Sequence, residues 1–135
     1  IREVPGLKII ASDYSERAIA NARKNAIAAG VANLIEFEVC DFAKTRVPEG
    51  QHGVVYMNPE YGERLGDVAE LEKTYARIGD FMKQRCQGYT GYIFTGNLEL
   101  AKKIGLKAKR RIEFYTSTID CRLLEYELYQ GSREK

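Results

Sequence analysis

The chain has 135 residues, a formal net charge of +2, 44% hydrophobic and 30% charged residues. That length supports one compact domain with a real core and not two. No apolar run approaches the roughly 20 residues that span a bilayer, and so small a net charge does not by itself argue for a nucleic-acid partner.

Residues 7–12 read as a short buried strand ending just before Asp13. Ser15 then stands as the N-cap of a helix, with Glu16 in the first turn where the helix dipole favours an acid. Ala18, Ile19, Ala22, Ala26 and Ala29 recur at helical spacing, and Gly30 supplies the left-handed residue that ends the helix. Residues 34–39 alternate apolar and acidic side chains, which predicts a second strand. Cys40, Asp41 and Phe42 follow it, and a polar loop carries Pro48, Gly50 and Gly53.

Val54 to Met57 predicts a third strand, stopped at Asn58-Pro59 because proline cannot continue the ladder. After a loop through Gly66, Val68, Leu71, Tyr75, Ile78 and Met82 mark one face of a long helix over 67–86. Thr90 to Thr95 predicts a fourth strand and Leu98 to Ile104 a short helix. Residues 108–119 and 121–129 read as two more strands, with Asp120 as the turn between them; residues 131–135 read as a frayed tail. Alternation of strands and helices predicts a mainly parallel α/β sheet, with the last two strands as an antiparallel pair at one edge.

Cys40, Cys86 and Cys121 have neither a paired framework nor metal-ligand spacing, so free thiols in a reducing compartment are expected. His52, the sole histidine, reads as a loop residue, and no zinc site can be assembled from these residues. Lys102, Lys103, Lys107, Lys109, Arg110 and Arg111 form a basic run that reads first as a solvated surface.

In open α/β sheets, ligands bind beyond the carboxyl ends of the strands. Asp13, with Tyr14 beside it, follows the first strand, where a carboxylate either binds the two hydroxyls of a ribose or forms a turn. Asp41 follows the second, with Phe42 as a flat surface for an adenine ring; its bland alternative is a helix cap. Asn58-Pro59-Glu60-Tyr61 follows the third. Asn-Pro is a common turn starter, yet three such groups at one sheet edge argue for a nucleotide-type site. Methylating an exocyclic amine requires acceptors for its hydrogens. The Asn58 amide oxygen and the Pro59 carbonyl can supply them, and Tyr61 can stack on a base taken out of its helix.

The segment Asn58-Pro59-Glu60-Tyr61-Gly62-Glu63-Arg64-Leu65-Gly66 resembles the Asn-Pro-Pro-Tyr-Gly-Glu-Arg-Leu pattern of bacterial, THUMP-associated ribosomal RNA guanine-N2 methyltransferases. Ala11-Ser12-Asp13, Arg23-Lys24-Asn25-Ala26 and Phe37-Glu38-Val39-Cys40-Asp41 are similar to the same family's donor-binding region. The resemblance implies a Rossmann-like class I methyltransferase fold, a three-layer sandwich. It implies a cytoplasmic enzyme that transfers a methyl group from S-adenosylmethionine to N2 of a guanine in large-subunit ribosomal RNA. Asp13, Tyr14, Asp41, Phe42 and Asn58 would then bind the cofactor, and Asn58, Pro59 and Tyr61 would act on the target base. Neither a metal nor a membrane is implied. Glu60 departs from the pattern, standing where a second proline is usual. The family's first strand, its glycine-rich loop and its THUMP domain would precede residue 1, so residues 1–135 are expected to be an N-terminally truncated catalytic domain. Two other readings of the same residues are an adenine-N6 methyltransferase on DNA or RNA, and a degenerate module that binds RNA or a partner without turnover.

Overall fold

The computed structural model describes residues 6–48, 52–61, 68–115 and 120–129. The chain divides into two compact units, Ile1–Arg46 and Val47–Lys135.

The first unit is built from strand β1 (Ile9–Asp13), helix α1 (Glu16–Ala29) and strand β2 (Ile35–Val39), with a single 3-10 turn at Ala32–Leu34 and another at Phe42–Lys44. Helix α1 begins where expected: Ser15 is extended and its Oγ accepts the Ala18 N–H at 3.1 Å. It ends at Gly30, whose φ of 79° lets its own N–H reach Ile27 O at 3.0 Å and the Val31 N–H reach Ala26 O at 2.9 Å. These two bonds satisfy carbonyls that a helix end otherwise leaves bare. Ile19 and Ala26 are the buried members of the apolar stripe. β1 and β2 run parallel, with Ile9 opposite Ile35 and Asp13 opposite Val39. The first strand thus starts later than the apolar run and includes Asp13 itself.

The second unit holds β3 (Val54–Met57), α2 (Val68–Arg85), β4 (Thr90–Thr95), α3 (Leu98–Ala101) continued by a 3-10 turn at Lys102–Ile104, β5 (Arg110–Tyr115) and β6 (Asp120–Glu127). Its sheet has the order β3-β4-β6-β5, with β3 and β4 parallel and β6 antiparallel to both of its neighbours. The expected antiparallel edge pair is present, but Asp120 is not its turn. It opens β6 opposite Tyr115, and the connection runs through residues 116–119, outside the described residues. The expected loop through Gly66 and the expected tail also lie outside them.

β4 alternates strictly between half-buried and buried residues, so Gly91, Ile93 and Thr95 face one way. Tyr75, Ile78 and Met82 of α2 are buried with them, each apolar side chain contributing roughly 1.5–3 kcal/mol relative to exposure. Val68 is exposed and so belongs to the helix without belonging to the core. At Gly91 a β-carbon would come within 2.7 Å of Met82 Sδ, so any larger residue there would make the buried Met82 side chain shift. β1 and β3 each end their sheet, with one edge unpaired among the described strands.

Candidate methyl-transfer site

In the first unit, the parallel pairing of β1 and β2 brings Asp13 and Asp41 to one strand end, where the Cys40 N–H donates to Asp13 O at 3.0 Å. Asp13 is exposed, and its Oδ1 accepts the Ser15 N–H at 2.9 Å. This is the two-residue turn that short acidic side chains favour. Its Oδ2 has no hydrogen-bond partner among the described residues. The turn role and the ribose role are therefore compatible: one oxygen orients the carboxylate and the other remains able to accept. Tyr14 is 82% exposed beside it. Asp41 caps the 3-10 turn that follows, its Oδ2 accepting the Ala43 N–H at 3.0 Å, and Phe42 is half-buried in that turn. Ser12 and Thr45 join hydroxyls at 2.6 Å, tying the end of β1 to the segment after β2. An exposed carboxylate and an aromatic ring beyond adjacent parallel strands fit the ribose and adenine portions of a nucleoside.

In the second unit, Asn58, Pro59, Glu60 and Tyr61 leave the carboxyl end of β3. Asn58 and Glu60 are exposed, while Pro59 and Tyr61 are half-buried. Asn58 has no side-chain hydrogen bond among the described residues, so its amide can accept from a ligand. The rest of the resembling segment, residues 62–66, lies outside the described residues.

Three residues that the sequence reading did not assign to the site support this loop. Tyr75 Oη, on α2, donates to Glu60 O at 2.9 Å and lies 2.9 Å from Thr95 Oγ1. Thr95, at the end of β4, accepts the Asn97 N–H at 3.1 Å. Asn97 Nδ2 donates to Tyr61 O at 3.3 Å, while its Oδ1 caps α3 by accepting the Leu100 N–H at 3.0 Å. Tyr75 and Thr95 are fully buried. Burial pushes the Tyr75 phenol above its ordinary pKa of 10.0, partly opposed by the Thr95 hydrogen bond, so it is a proton donor at neutral pH. Periodicity gave Tyr75 away only as a core position. The signal that could have marked it is a hydroxyl on an apolar stripe, which needs a buried partner.

Elsewhere the residues serve structure. His52 Nδ1 lies 3.2 Å from Gly88 O in a loop. The three cysteines are free, and among the described residues no cluster of His, Cys, Asp and Glu could hold a metal. The basic run is partly neutralised: Lys102 pairs with Glu99, Lys109 with Glu127 and Arg110 with Glu125. No helix among the described residues is long and apolar enough to cross a membrane.

Comparison with known proteins places the chain. The family described as RMKL-like, methyltransferase domain, matches residues 2–125. The ribosomal RNA large subunit methyltransferase K/L of Syntrophotalea carbinolica is 38% identical over 123 residues, covering 89% of this chain and 17% of that protein. The protein of the same name from Shewanella baltica (strain OS185) is 36% identical over 129 residues, covering 96% of this chain and 18% of its own length. Among solved structures, a possible methylase from Clostridium difficile 630 superposes with a TM-score of 0.82 at 29% identity, over 94% of this chain and 33% of that one. SMU.472, a candidate methyltransferase complexed with SAH, superposes with a TM-score of 0.82 at 24% identity, over 93% of this chain and 33% of that one. The chain therefore spans less than a fifth of these two curated relatives and a third of these solved chains. The fold is the Rossmann-like fold of class I methyltransferases, whose methyl donor is S-adenosylmethionine. The chain belongs to the RMKL-like methyltransferase domain family.

Proposed function

We propose that this chain is the part of an S-adenosylmethionine-dependent RNA methyltransferase that holds the acceptor amine, and that the acceptor is N2 of a guanine in large-subunit ribosomal RNA. The observation that carries this reading is the Asn58–Pro59 step at the carboxyl end of β3. There an exposed amide with no side-chain hydrogen bond among the described residues sits on a backbone tied down from behind by Tyr75 and Asn97. The names of the relatives from Syntrophotalea carbinolica and Shewanella baltica support the substrate class.

Bound S-adenosylmethionine supplies an electrophilic methyl group on a sulfonium. This chain's residues do the rest. Asn58 Oδ1 and the Pro59 carbonyl accept the two amine hydrogens and turn the nitrogen lone pair out of conjugation with the ring. Acceptors aimed in advance at a developing positive charge lower the barrier without reorganising. Tyr61 stacks on the extruded base, and Asp13, with Tyr14, Asp41 and Phe42, holds the nucleoside end of the cofactor. No strong base is needed, because the amine proton becomes acidic only as the methyl group is gained. We place the whole protein in the cytoplasm, with ribosomal RNA as its partner.

The test is transfer of radiolabelled methyl groups by the whole protein to ribosomal RNA and to DNA, followed by nucleoside analysis. Label in N2-methylguanosine is expected. Label in N6-methyladenine would overturn the choice of base, and cofactor binding without transfer would favour a binding-only module.

A further inference from the structure

We infer that Tyr75, Thr95 and Asn97 are positioning residues for methyl transfer, holding the acceptor loop in its working shape through the carbonyls of Glu60 and Tyr61. This rests on reading Asn58 as the acceptor of the amine hydrogens.

Proton counting sets the direction of the network. The Glu60 carbonyl can only accept, so the single phenolic proton of Tyr75 is used there, at 2.9 Å. The contact between Tyr75 Oη and Thr95 Oγ1, also 2.9 Å, must then use the Thr95 proton. Thr95 Oγ1 in turn accepts from the Asn97 backbone, 3.1 Å away, which can only donate. Hydrogen bonds thus run from Asn97 N–H through Thr95 and Tyr75 to the Glu60 carbonyl, with a backbone group fixing the sense at each end. The side chain of Asn97 adds a second strut. Its oxygen faces the Leu100 N–H, so its NH₂ group faces the Tyr61 carbonyl.

The consequence for the loop follows from peptide geometry. On one side of Asn58, Met57 is held in the β3 ladder. On the other, Pro59 has a fixed φ, and the next two carbonyls are held from α2 and from the start of α3. Asn58 and the Pro59 carbonyl are therefore anchored at both ends. Glu60 lacks the ring that a second proline would bring, and the bond from Tyr75 restrains the backbone at that residue. With Tyr75 and Thr95 fully buried and a backbone group fixing the sense at each end, the network has one low-energy arrangement, which is what a preorganised acceptor pair requires.

The experiment uses the whole protein with ribosomal RNA, measuring kcat, the KM for S-adenosylmethionine and the melting temperature of each variant. Tyr75→Phe removes the strut to Glu60 with little change of volume. Asn97→Asp keeps the oxygen that caps α3 and removes the donor to Tyr61. Each should lower kcat by about tenfold to a hundredfold, the scale on which a misplaced reacting group acts, with the cofactor KM within about twofold. Thr95→Ser should recover most of the kcat that Thr95→Val loses. Unchanged kcat in Tyr75→Phe and Asn97→Asp, well below their melting temperatures, would make the network structural only and overturn the inference. Asn58→Ala run in parallel separates the two readings. If it is inactive while Tyr75→Phe and Asn97→Asp are fully active, only the positioning role fails; if it is fully active, the acceptor reading fails as well.

Discussion

Gly79 on α2 meets the backbone of Ile104 so closely that a β-carbon there would lie 1.8 Å from the Ile104 carbonyl oxygen. The opposing atom belongs to the main chain, so no rotamer change relieves the clash. The contact sets α2, which carries Tyr75, against the segment that Asn97 opens. Gly79→Ala must push these elements apart and should destabilise by at least about 1–3 kcal/mol, the usual scale for overpacking. Urea unfolding followed by circular dichroism measures it, and an unchanged midpoint would refute the close approach.

Asn58 makes a sharper test of chemistry. Asn58→Ala should depress turnover by at least about a hundredfold, the scale for losing one transition-state acceptor. Affinity for S-adenosylmethionine should barely move. Single-turnover rates and calorimetric titration check the two halves, and near-normal turnover would remove Asn58 from the reaction.

Asp13 has an observed turn role and a proposed ribose role, which one substitution separates. Asp13→Asn keeps an oxygen for the Ser15 N–H, so the start of α1 should melt as before. The charge-assisted bonds to a ribose are weakened, at roughly 1.5–3 kcal/mol for such bonds, and cofactor affinity should fall at least about tenfold. Unchanged affinity by titration would leave Asp13 as a turn former alone.

Cys86 carries a pH dependence. The side chain is fully buried, and burial pushes its thiol from 9.0 up to about 11. A raised acid pKa means that the folded state resists the anion. The corresponding stability is intact below pH 9.0 and is lost as the pH rises toward about 11. Burial moves the Tyr126 phenol the same way, from 10.0 to about 12, against a weaker pull from Arg111. Urea midpoints should therefore fall steeply across this alkaline range, and Cys86→Ala should flatten the lower part of the slope. An equal slope in the variant would exclude the thiol as a cause.

Native alkylation separates the thiols by exposure. Cys40 is half-buried, whereas Cys86 and Cys121 are fully buried. Iodoacetamide followed by peptide mass mapping should label Cys40 first, with the other two reacting only on unfolding.

The residues alone determined whatever depends on near neighbours. Ser15 and Gly30 bound α1 because a cap and a left-handed turn act within four residues. Pro59 ends β3 because its own ring removes a ladder donor. Asp13 and Asp41 were legible as turn or cap residues for the same reason, since each bonds a backbone N–H two positions on. The motif at Asn58 was legible because the residues that compose it are consecutive in the chain. Tertiary structure alone decided that β6 lies between β4 and β5, with Asp120 in the strand rather than the turn. It also decided which groups stand behind the segment that follows β3. Tyr75 reaches Glu60 across 15 positions and Asn97 reaches Tyr61 across 36. A helical stripe announces that Tyr75 is buried but not what its hydroxyl meets, because burial is set by periodicity along one element whereas a buried polar partner is chosen by how separate elements pack.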